Sequence, residues 1–153
     1  MIFYTTRFGD VDFPEEQVVH FLEGLLGFEK ETRFAILPFT NEGECPLEWM
    51  QSIHTPELAF IVTDPKHFIP DYSIQLLDNE LAEIELNPGE SFALRVIVTV
   101  PKDYIDMTAN LVGPLAFNTK RMTAKQFVLT LPQYDTRHFL FSEEIRNSTQ
   151  TVR

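Results

Sequence analysis

Apolar and polar residues alternate over short stretches of this chain, and turn-forming residues separate these stretches. The first stretch, residues 2–8, is rich in strand-forming residues and ends at Gly9-Asp10, after which Val11 and Phe13 alternate with aspartates. A period of two is the spacing of residues on one face of a strand, so this pattern predicts an N-terminal hairpin. The strongest strand signal, residues 92–100, predicts a central strand that is buried on both faces.

The same pattern predicts further strands and little helix. Residues 18–22 fit either a strand or a short helix, and residues 79–86 predict a short helix in which apolar positions lie among acids. Gly24 and Gly27 predict a tight turn with positive φ. The other predicted strands cover residues 32–39, 47–53, 58–63, 111–118, 126–131 and 139–141, with a hairpin loop at residues 119–123.

The number of short strands, about eight to ten, predicts the fold class. We expect a mainly β, single-domain, antiparallel β-barrel-like fold with little helix. A chain of 153 residues suits one domain, and its fourteen Phe supply large side chains for a core. The barrel domain is expected to span residues 1–141, and a polar C-terminal tail to follow at residues 142–153.

Charge is distributed unevenly along the chain, whose formal net charge is −11. Residues 34–94 hold eleven acids and one base, Lys66, whereas residues 95–153 hold five acids and eight bases. The overall excess of acids argues against direct nucleic-acid binding, which depends on Lys and Arg at the phosphates. Residues 67–94 contain no Lys or Arg, and they carry the acids Asp71, Asp78, Glu80, Glu83, Glu85 and Glu90.

Several features indicate a cytoplasmic protein. The first residues show no basic region followed by an apolar run, and no apolar stretch reaches the about 20 residues that span a membrane. The single cysteine, Cys45, excludes an intrachain disulfide and a multi-cysteine metal site. Because no long apolar strand edge stands out, we expect a monomer when the protein is free.

No arrangement of residues is typical of catalysis. Gly24 and Gly27 lack the Lys that follows a phosphate-binding loop, and the four histidines lack the spacing of metal ligands. Acids are numerous enough for the acid–base pair of a small hydrolase, but such a pair requires a cleft and one raised pKa. We therefore expect no enzymatic activity, no cofactor and no metal.

Six short segments follow one another in a specific order and spacing. They are residues 24–29 (GLLGFE), 50–52 (MQS), 58–65 (LAFIVTDP), 70–72 (PDY), 108–111 (TANL) and 113–118 (GPLAFN), and Gln126, Tyr134, Arg137 and His138 follow them. Together they resemble the FliW family of flagellar assembly factors. One departure is Met50, where the resemblance leads us to expect Leu, and this swap nearly conserves the side-chain volume.

The resemblance implies a compact β-barrel-like fold, in agreement with the strand pattern. It also implies two protein partners: CsrA, a small basic RNA-binding dimer that represses translation of flagellin messenger RNA, and flagellin itself. In such a system flagellin holds the FliW-like protein until the flagellin is secreted. The released FliW-like protein then binds CsrA and relieves the repression of flagellin translation. The rival interpretations are a dedicated flagellin secretion chaperone without a role in translational control and an acidic mimic of nucleic acid.

Two groups of residues are candidate partner-binding sites. The six acids of residues 67–94 form either a solvated face or a negative field that attracts a basic partner and repels RNA. Asn110, Phe117 and Asn118 are the candidates for a structured contact surface, and a turn or strand end is the alternative role of Asn110. Trp49 is either an interface anchor or a core residue.

Overall fold

The computed structural model describes residues 1–41 and 43–152, and for residues 148–152 it describes the backbone alone. β-Branched and aromatic residues fit the pleated surface of strands, and the described chain is accordingly mostly β-structure. The strands are β1 (Ile2–Thr5), β2 (Gly9–Asp12), β3 (Val19–Phe21), β4 (Arg33–Pro38), β5 (Leu47–Ser52), β6 (Ala59–Thr63), β7 (Ala93–Thr99), β8 (Thr108–Ala109), β9 (Leu115–Asn118), β10 (Thr123–Gln126) and β11 (His138–Phe139). The helices are α1 (Asp78–Ala82) and α2 (Glu143–Val152), and short 3-10 helices cover Glu15–Gln17, Pro65–His67 and Tyr104–Asp106.

Seven of the strands close into a barrel. Around the barrel the order is β3-β4-β5-β6-β7-β9-β10, and β10 returns to β3. The other pairs in this ring are antiparallel, whereas β10 and β3 are parallel, with Thr123 opposite His20 and Ala124 opposite Phe21. The mainly β, barrel-like fold predicted from the sequence is therefore confirmed, and closure leaves the barrel without a free edge.

Apolar side chains from alternate strand positions fill the barrel. Phe21 meets Phe34 and Phe117 edge to face, with ring centroids 5.5 Å and 5.7 Å apart. Met50 and Val62 are fully buried in the same cluster. Edge-to-face pairs contribute about 0.5–1.5 kcal/mol each beyond the burial of their area, so the phenylalanines fix how these strands face one another.

Two further clusters cover the outer face of the barrel. In the first, the Tyr72 hydroxyl donates a hydrogen bond to the Leu111 carbonyl oxygen at 2.6 Å, and burial raises the pKa of Tyr72 to about 12. In the second, Ile84 packs with Ala116 of β9 and with Phe127 just after β10. The chain around α1 is therefore held against the barrel wall.

The hairpin of β9 and β10 differs from its sequence prediction. The return strand was predicted at residues 126–131 after a loop at residues 119–123, but β10 already begins at Thr123. Thr123 pairs with Asn118, and its hydroxyl donates a hydrogen bond to the Ile84 carbonyl oxygen at 2.8 Å. A polar residue thus lies in a buried strand here because the folded chain supplies a buried acceptor for its hydroxyl.

Three local expectations have clear outcomes. Residues 18–22 were compatible with strand or helix and contain strand β3, and the helix predicted at residues 79–86 is the shorter α1. The predicted polar tail contains helix α2, and its last residue, Arg153, lies outside the described residues. Within the described part of the chain, no helix has the length and apolar character needed to cross a membrane.

Candidate functional site

The six candidate acids lie in residues 71–90, which we call the acidic segment. Asp71, Asp78 and Glu85 are exposed. None of the three forms an ion pair with another described residue. Asp71 precedes the buried Tyr72, and the other two lie on α1 and just after it, so each charge is on a backbone that packing holds in place.

Two other acids of the segment stabilise its local structure. Glu80 Oε1 accepts a hydrogen bond from the backbone N–H of Leu77 at 2.8 Å and so completes the first turn of α1. Glu90 Oε1 accepts a hydrogen bond from the backbone N–H of Asn87 at 2.7 Å and closes the next turn. Both carboxylates therefore shape the segment as well as contributing charge.

The sixth acid, Glu83, forms an ion pair with a lysine of β10. Lys125 Nζ lies 2.7 Å from Glu83 Oε2 and 3.0 Å from Glu23 Oε2, and 5.5 Å from the centre of the Phe127 ring. The hydrogen bond to Glu83 is the main cause that raises the pKa of Lys125. Lys125 thus joins the acidic segment to the chain that follows β3.

Replacing Lys125 with Met is expected to lower the free energy of unfolding by about 0.5–1 kcal/mol, because the bridged carboxylates are partly exposed and water screens them. The loss should shrink at high salt. Urea unfolding at low and high salt measures it, and Lys120→Met is the control because Lys120 is exposed and forms no ion pair with a described residue. Equal losses in the two variants would show that the bridge contributes nothing.

Phe117 and Asn118 were predicted to form a contact surface, but in this structure both side chains are almost fully buried. Their exposed fractions are 7% and 3%, and Phe117 belongs to the barrel core. Asn118 Oδ1 accepts hydrogen bonds from the backbone N–H groups of Lys120 and Arg121, each at 3.1 Å. Its Nδ2 donates to the Ile84 carbonyl oxygen at 2.9 Å. Asn118 therefore clamps the acidic segment to the loop between β9 and β10.

Asn110 is half-buried beside another loop of the barrel. Its backbone N–H donates to the Ile97 carbonyl oxygen at 3.0 Å, and its Oδ1 is buried without a hydrogen-bond partner among the described residues. Its Nδ2 lies so close to Gly113 that a Cβ there would be 2.7 Å away. Gln126 Nε2 donates to the Gly113 carbonyl oxygen at 3.0 Å, so Asn110 belongs to a packed turn.

A cavity opens at the end of the barrel where β7 begins and β9 ends, and we call it the barrel mouth. Its volume is about 140 Å³ and its wall is mostly apolar. Arg95 Nε donates to Glu48 Oε1 at 2.7 Å, and Arg95 Nη1 lies 3.9 Å from Asp64 Oδ2. The wall is formed chiefly by Val19, Ile36, Ala93, Arg95, Phe117 and Met122.

Sequence reasoning missed the barrel mouth. Alternation along a strand indicates which side chains share a face, but it does not show at which end of a closed barrel those side chains leave space. Ala93 is the small residue that leaves it here, since it opens β7 opposite Phe117. A small residue among large ones at a strand end is the only trace of this cavity in the sequence.

Trp49 lies on β5, which is on the opposite side of the barrel from β9 and β10. Its ring stacks on Phe39 at 5.2 Å and meets Phe8 edge to face at 5.9 Å, and the Arg7 guanidinium is 4.3 Å from its centre. The indole is half-buried in this cluster. It packs the N-terminal hairpin on the barrel and is not a free anchor.

The arrangement therefore offers a surface of exposed carboxylates and an apolar barrel mouth on one molecule. Within residues 1–41 and 43–152, no group of three or more His, Cys, Asp or Glu is placed to hold a metal ion. Burial raises the pKa of Tyr72, and the hydrogen bond to Glu83 raises the pKa of Lys125, so both shifts have structural causes. Both features of the site suit recognition of another molecule.

Comparison with known proteins places the chain among flagellar assembly factors. The profile of the family described as FliW protein matches residues 2–140. Flagellar assembly factor FliW of Geobacter sulfurreducens is 40% identical over 143 residues, which cover 94% of this chain and 88% of that protein. The protein of the same name from Geobacillus thermodenitrificans is 36% identical over 141 residues, covering 92% of this chain and 96% of that protein.

A solved structure agrees with the sequence relationship. The crystal structure of the flagellar assembly factor FliW matches this fold with a TM-score of 0.83 at 35% identity. The match covers 94% of this chain and 99% of that one, so both the barrel and its surrounding loops are shared. The chain therefore belongs to the FliW family.

Proposed function

We propose that this protein acts in the cytoplasm, without catalysis, by binding CsrA and flagellin one at a time. The observation that carries the proposal is the set of three exposed carboxylates, at Asp71, Asp78 and Glu85, on a backbone packed against the barrel. Fixed negative charges attract a basic partner such as CsrA and accelerate the encounter. Membership of the FliW family supports both partners.

The same charges supply a way to antagonise RNA binding. A negatively charged protein docked beside an RNA site opposes the approach of phosphates without covering that site. Repulsion between exposed charges is screened over about 8–10 Å at physiological salt, so the acidic segment must lie close to the RNA path. Antagonism by charge weakens as salt rises, whereas steric blocking does not.

Exclusive binding then connects flagellin supply to translation. While flagellin is abundant it occupies the protein, and mass action leaves little free protein for CsrA. When flagellin is secreted, the released protein binds CsrA. Each tenfold change in relative affinity or concentration shifts this competition by about 1.4 kcal/mol.

The triple variant Asp71→Asn, Asp78→Asn, Glu85→Gln tests the role of the exposed acids. We expect roughly tenfold weaker binding to purified CsrA at low salt and little difference at high salt, because three partly screened charges are lost. Fold stability should be preserved, since these side chains form no ion pairs with described residues. Calorimetric titration at two salt concentrations, with and without flagellin, gives the affinities.

A matched variant, Asp10→Asn, Glu16→Gln, Glu57→Gln, removes the same charge from exposed residues outside the acidic segment. It should bind CsrA almost normally. Equal weakening in both variants would indicate general electrostatic attraction and favour an acidic mimic of nucleic acid. Flagellin binding without any heat from CsrA would leave a flagellin secretion chaperone as the function.

A further inference from the structure

The turn that follows β3 exposes three large apolar side chains. Leu22, Leu26 and Phe28 are 65%, 61% and 42% exposed, although they lie close together along the chain. Single exposed apolar residues are ordinary on a protein surface, but several in one place are typical of a surface that contacts another molecule. Residues 22–28, which we call the apolar turn, are therefore a candidate contact surface.

The apolar turn is held in one conformation before any partner binds. The backbone N–H groups of Leu25 and Phe28 donate to each other's carbonyl oxygens, at 3.2 Å and 2.8 Å. The Leu26 N–H donates to Gln126 Oε1 at 3.0 Å. The Phe28 ring meets the ring of Phe60 edge to face at 5.3 Å. A preorganised surface loses little conformational freedom on binding, so its exposed side chains are suited to anchor a partner.

An ion-pair network joins the apolar turn to the acidic segment. Lys125 Nζ contacts both Glu23 of the turn and Glu83 of the acidic segment, so the two parts of the chain lie next to each other on the barrel. An apolar centre with charged residues beside it is the usual anatomy of a protein interface. The apolar turn and the acidic segment can therefore form one continuous surface.

The charged groups around the apolar turn are mostly acidic. Residues 22–31, together with Lys125 and Glu83, hold four carboxylates and two ammonium groups. The carboxylates are those of Glu23, Glu29, Glu31 and Glu83, and the ammonium groups are those of Lys30 and Lys125. The Lys125 charge is matched by two of these carboxylates. The net charge beside the turn is therefore negative, and it favours a basic partner, as the acidic segment does.

We propose that Leu22 and Leu26 are the apolar anchors of the surface that binds CsrA. This inference rests on the CsrA part of the proposed function and adds the residues that hold the complex at short range. The exposed carboxylates accelerate the encounter with a basic protein, and burial of the two leucines slows its dissociation. The two contributions differ in their response to salt, because salt screens charges and does not screen apolar contacts.

The double variant Leu22→Ala, Leu26→Ala tests the inference. The melting temperature should stay close to that of the wild type, because both side chains are mostly exposed. We expect at least tenfold weaker binding to purified CsrA, because burial of two leucine side chains is lost. Calorimetric titration should give the same loss at low and at high salt, in contrast to the loss expected when the exposed acids are replaced.

The matched control is the double variant Ile2→Ala, Tyr104→Ala. It removes two apolar side chains of similar exposure, 70% and 62%, from other parts of the chain. This control should bind CsrA almost normally. Hydrogen exchange of the wild-type protein supplies a measurement that needs no variant. On addition of CsrA the backbone N–H groups of residues 22–28 should exchange more slowly, and those of β1 and β2 should exchange as before.

The outcomes separate this inference from the proposed function. Failure of the wild-type protein to bind CsrA would overturn both together. Normal affinity of the Leu22→Ala, Leu26→Ala variant for CsrA, or unchanged exchange of residues 22–28 if that variant folds poorly, would overturn this inference alone. A loss of affinity that disappears at high salt would assign the effect to charge and also overturn it.

Two other occupants of the apolar turn give distinct results. Weaker flagellin binding by the Leu22→Ala, Leu26→Ala variant, with normal CsrA binding, would assign the turn to flagellin and overturn the inference. Slower exchange of residues 22–28 that follows the concentration of the protein without CsrA would assign the turn to a second copy of this chain, with the same consequence.

Discussion

Replacing Gly24 with Ala is expected to lower the free energy of unfolding by about 2–5 kcal/mol, the sum of a left-handed backbone cost and a steric clash. Gly24 has a φ of 66°, and a Cβ there would lie 2.4 Å from the carbonyl oxygen of Glu29. Because that neighbour is backbone, it cannot move aside as a flexible side chain would. Urea unfolding measures the loss directly.

Gly27→Ala separates the two causes. Gly27 also has a positive φ, 82°, but a Cβ there would meet nothing within 4 Å. Only the conformational cost applies, and we expect a loss of about 1–2 kcal/mol. Similar losses in the two variants would show that the close approach at Gly24 does not constrain the turn.

The turn between these glycines closes the barrel at the end opposite to the barrel mouth. Leu25 is 2% exposed and plugs the interior, while the backbone N–H of Leu26 donates to Gln126 Oε1 at 3.0 Å. Gln126 in turn bonds the Gly113 carbonyl oxygen. A variant that opens this turn therefore loosens β10 as well, which is why a single added methyl group has so large an expected effect.

The sequence is sufficient to predict the features of this fold that depend on neighbouring residues. Alternation at residues 2–13 predicts the hairpin of β1 and β2, and the apolar run at residues 92–100 predicts β7. The two glycines predict a turn because positive φ is a property of one residue and its bonds. In each case the physical cause lies within a few residues of its effect.

Features that depend on barrel closure could not be predicted in this way. The parallel pairing of β3 with β10 joins residues about a hundred positions apart. Asn118 was a candidate for a contact surface, yet its side-chain partners include Ile84, 34 residues earlier. A polar residue at a strand end fits a contact surface or a buried clamp equally well until its distant acceptors are known.

The acidic segment shows the same division between local and distant causes. The sequence identifies all six acids, but only the structure separates the three exposed and unpaired ones from Glu80 and Glu90, which cap turns, and Glu83, which pairs with Lys125. Charge density along the chain therefore overestimates the charge that is free to act on a partner. The difference decides which substitutions test function and which disturb folding.

Replacing Asn118 with Ala is the other substitution with a large expected effect. The variant removes three hydrogen bonds of 2.9–3.1 Å from a side chain that is 3% exposed. Buried polar groups left without partners cost about 1–3 kcal/mol each, and water reaches part of the exposed loop, so we expect a total loss of about 2–4 kcal/mol. Urea unfolding and the melting temperature measure it.

Thr123→Val is the control for the Asn118 clamp, because it removes one hydroxyl hydrogen bond to the same Ile84 carbonyl oxygen. Its expected cost is about 1 kcal/mol. Since Asn118 holds the acidic segment to the loop between β9 and β10, its loss should weaken binding of CsrA, whereas Thr123→Val should weaken it less. An Asn118→Ala variant as stable as Thr123→Val would mean that the loop and the acidic segment hold their shape without the clamp.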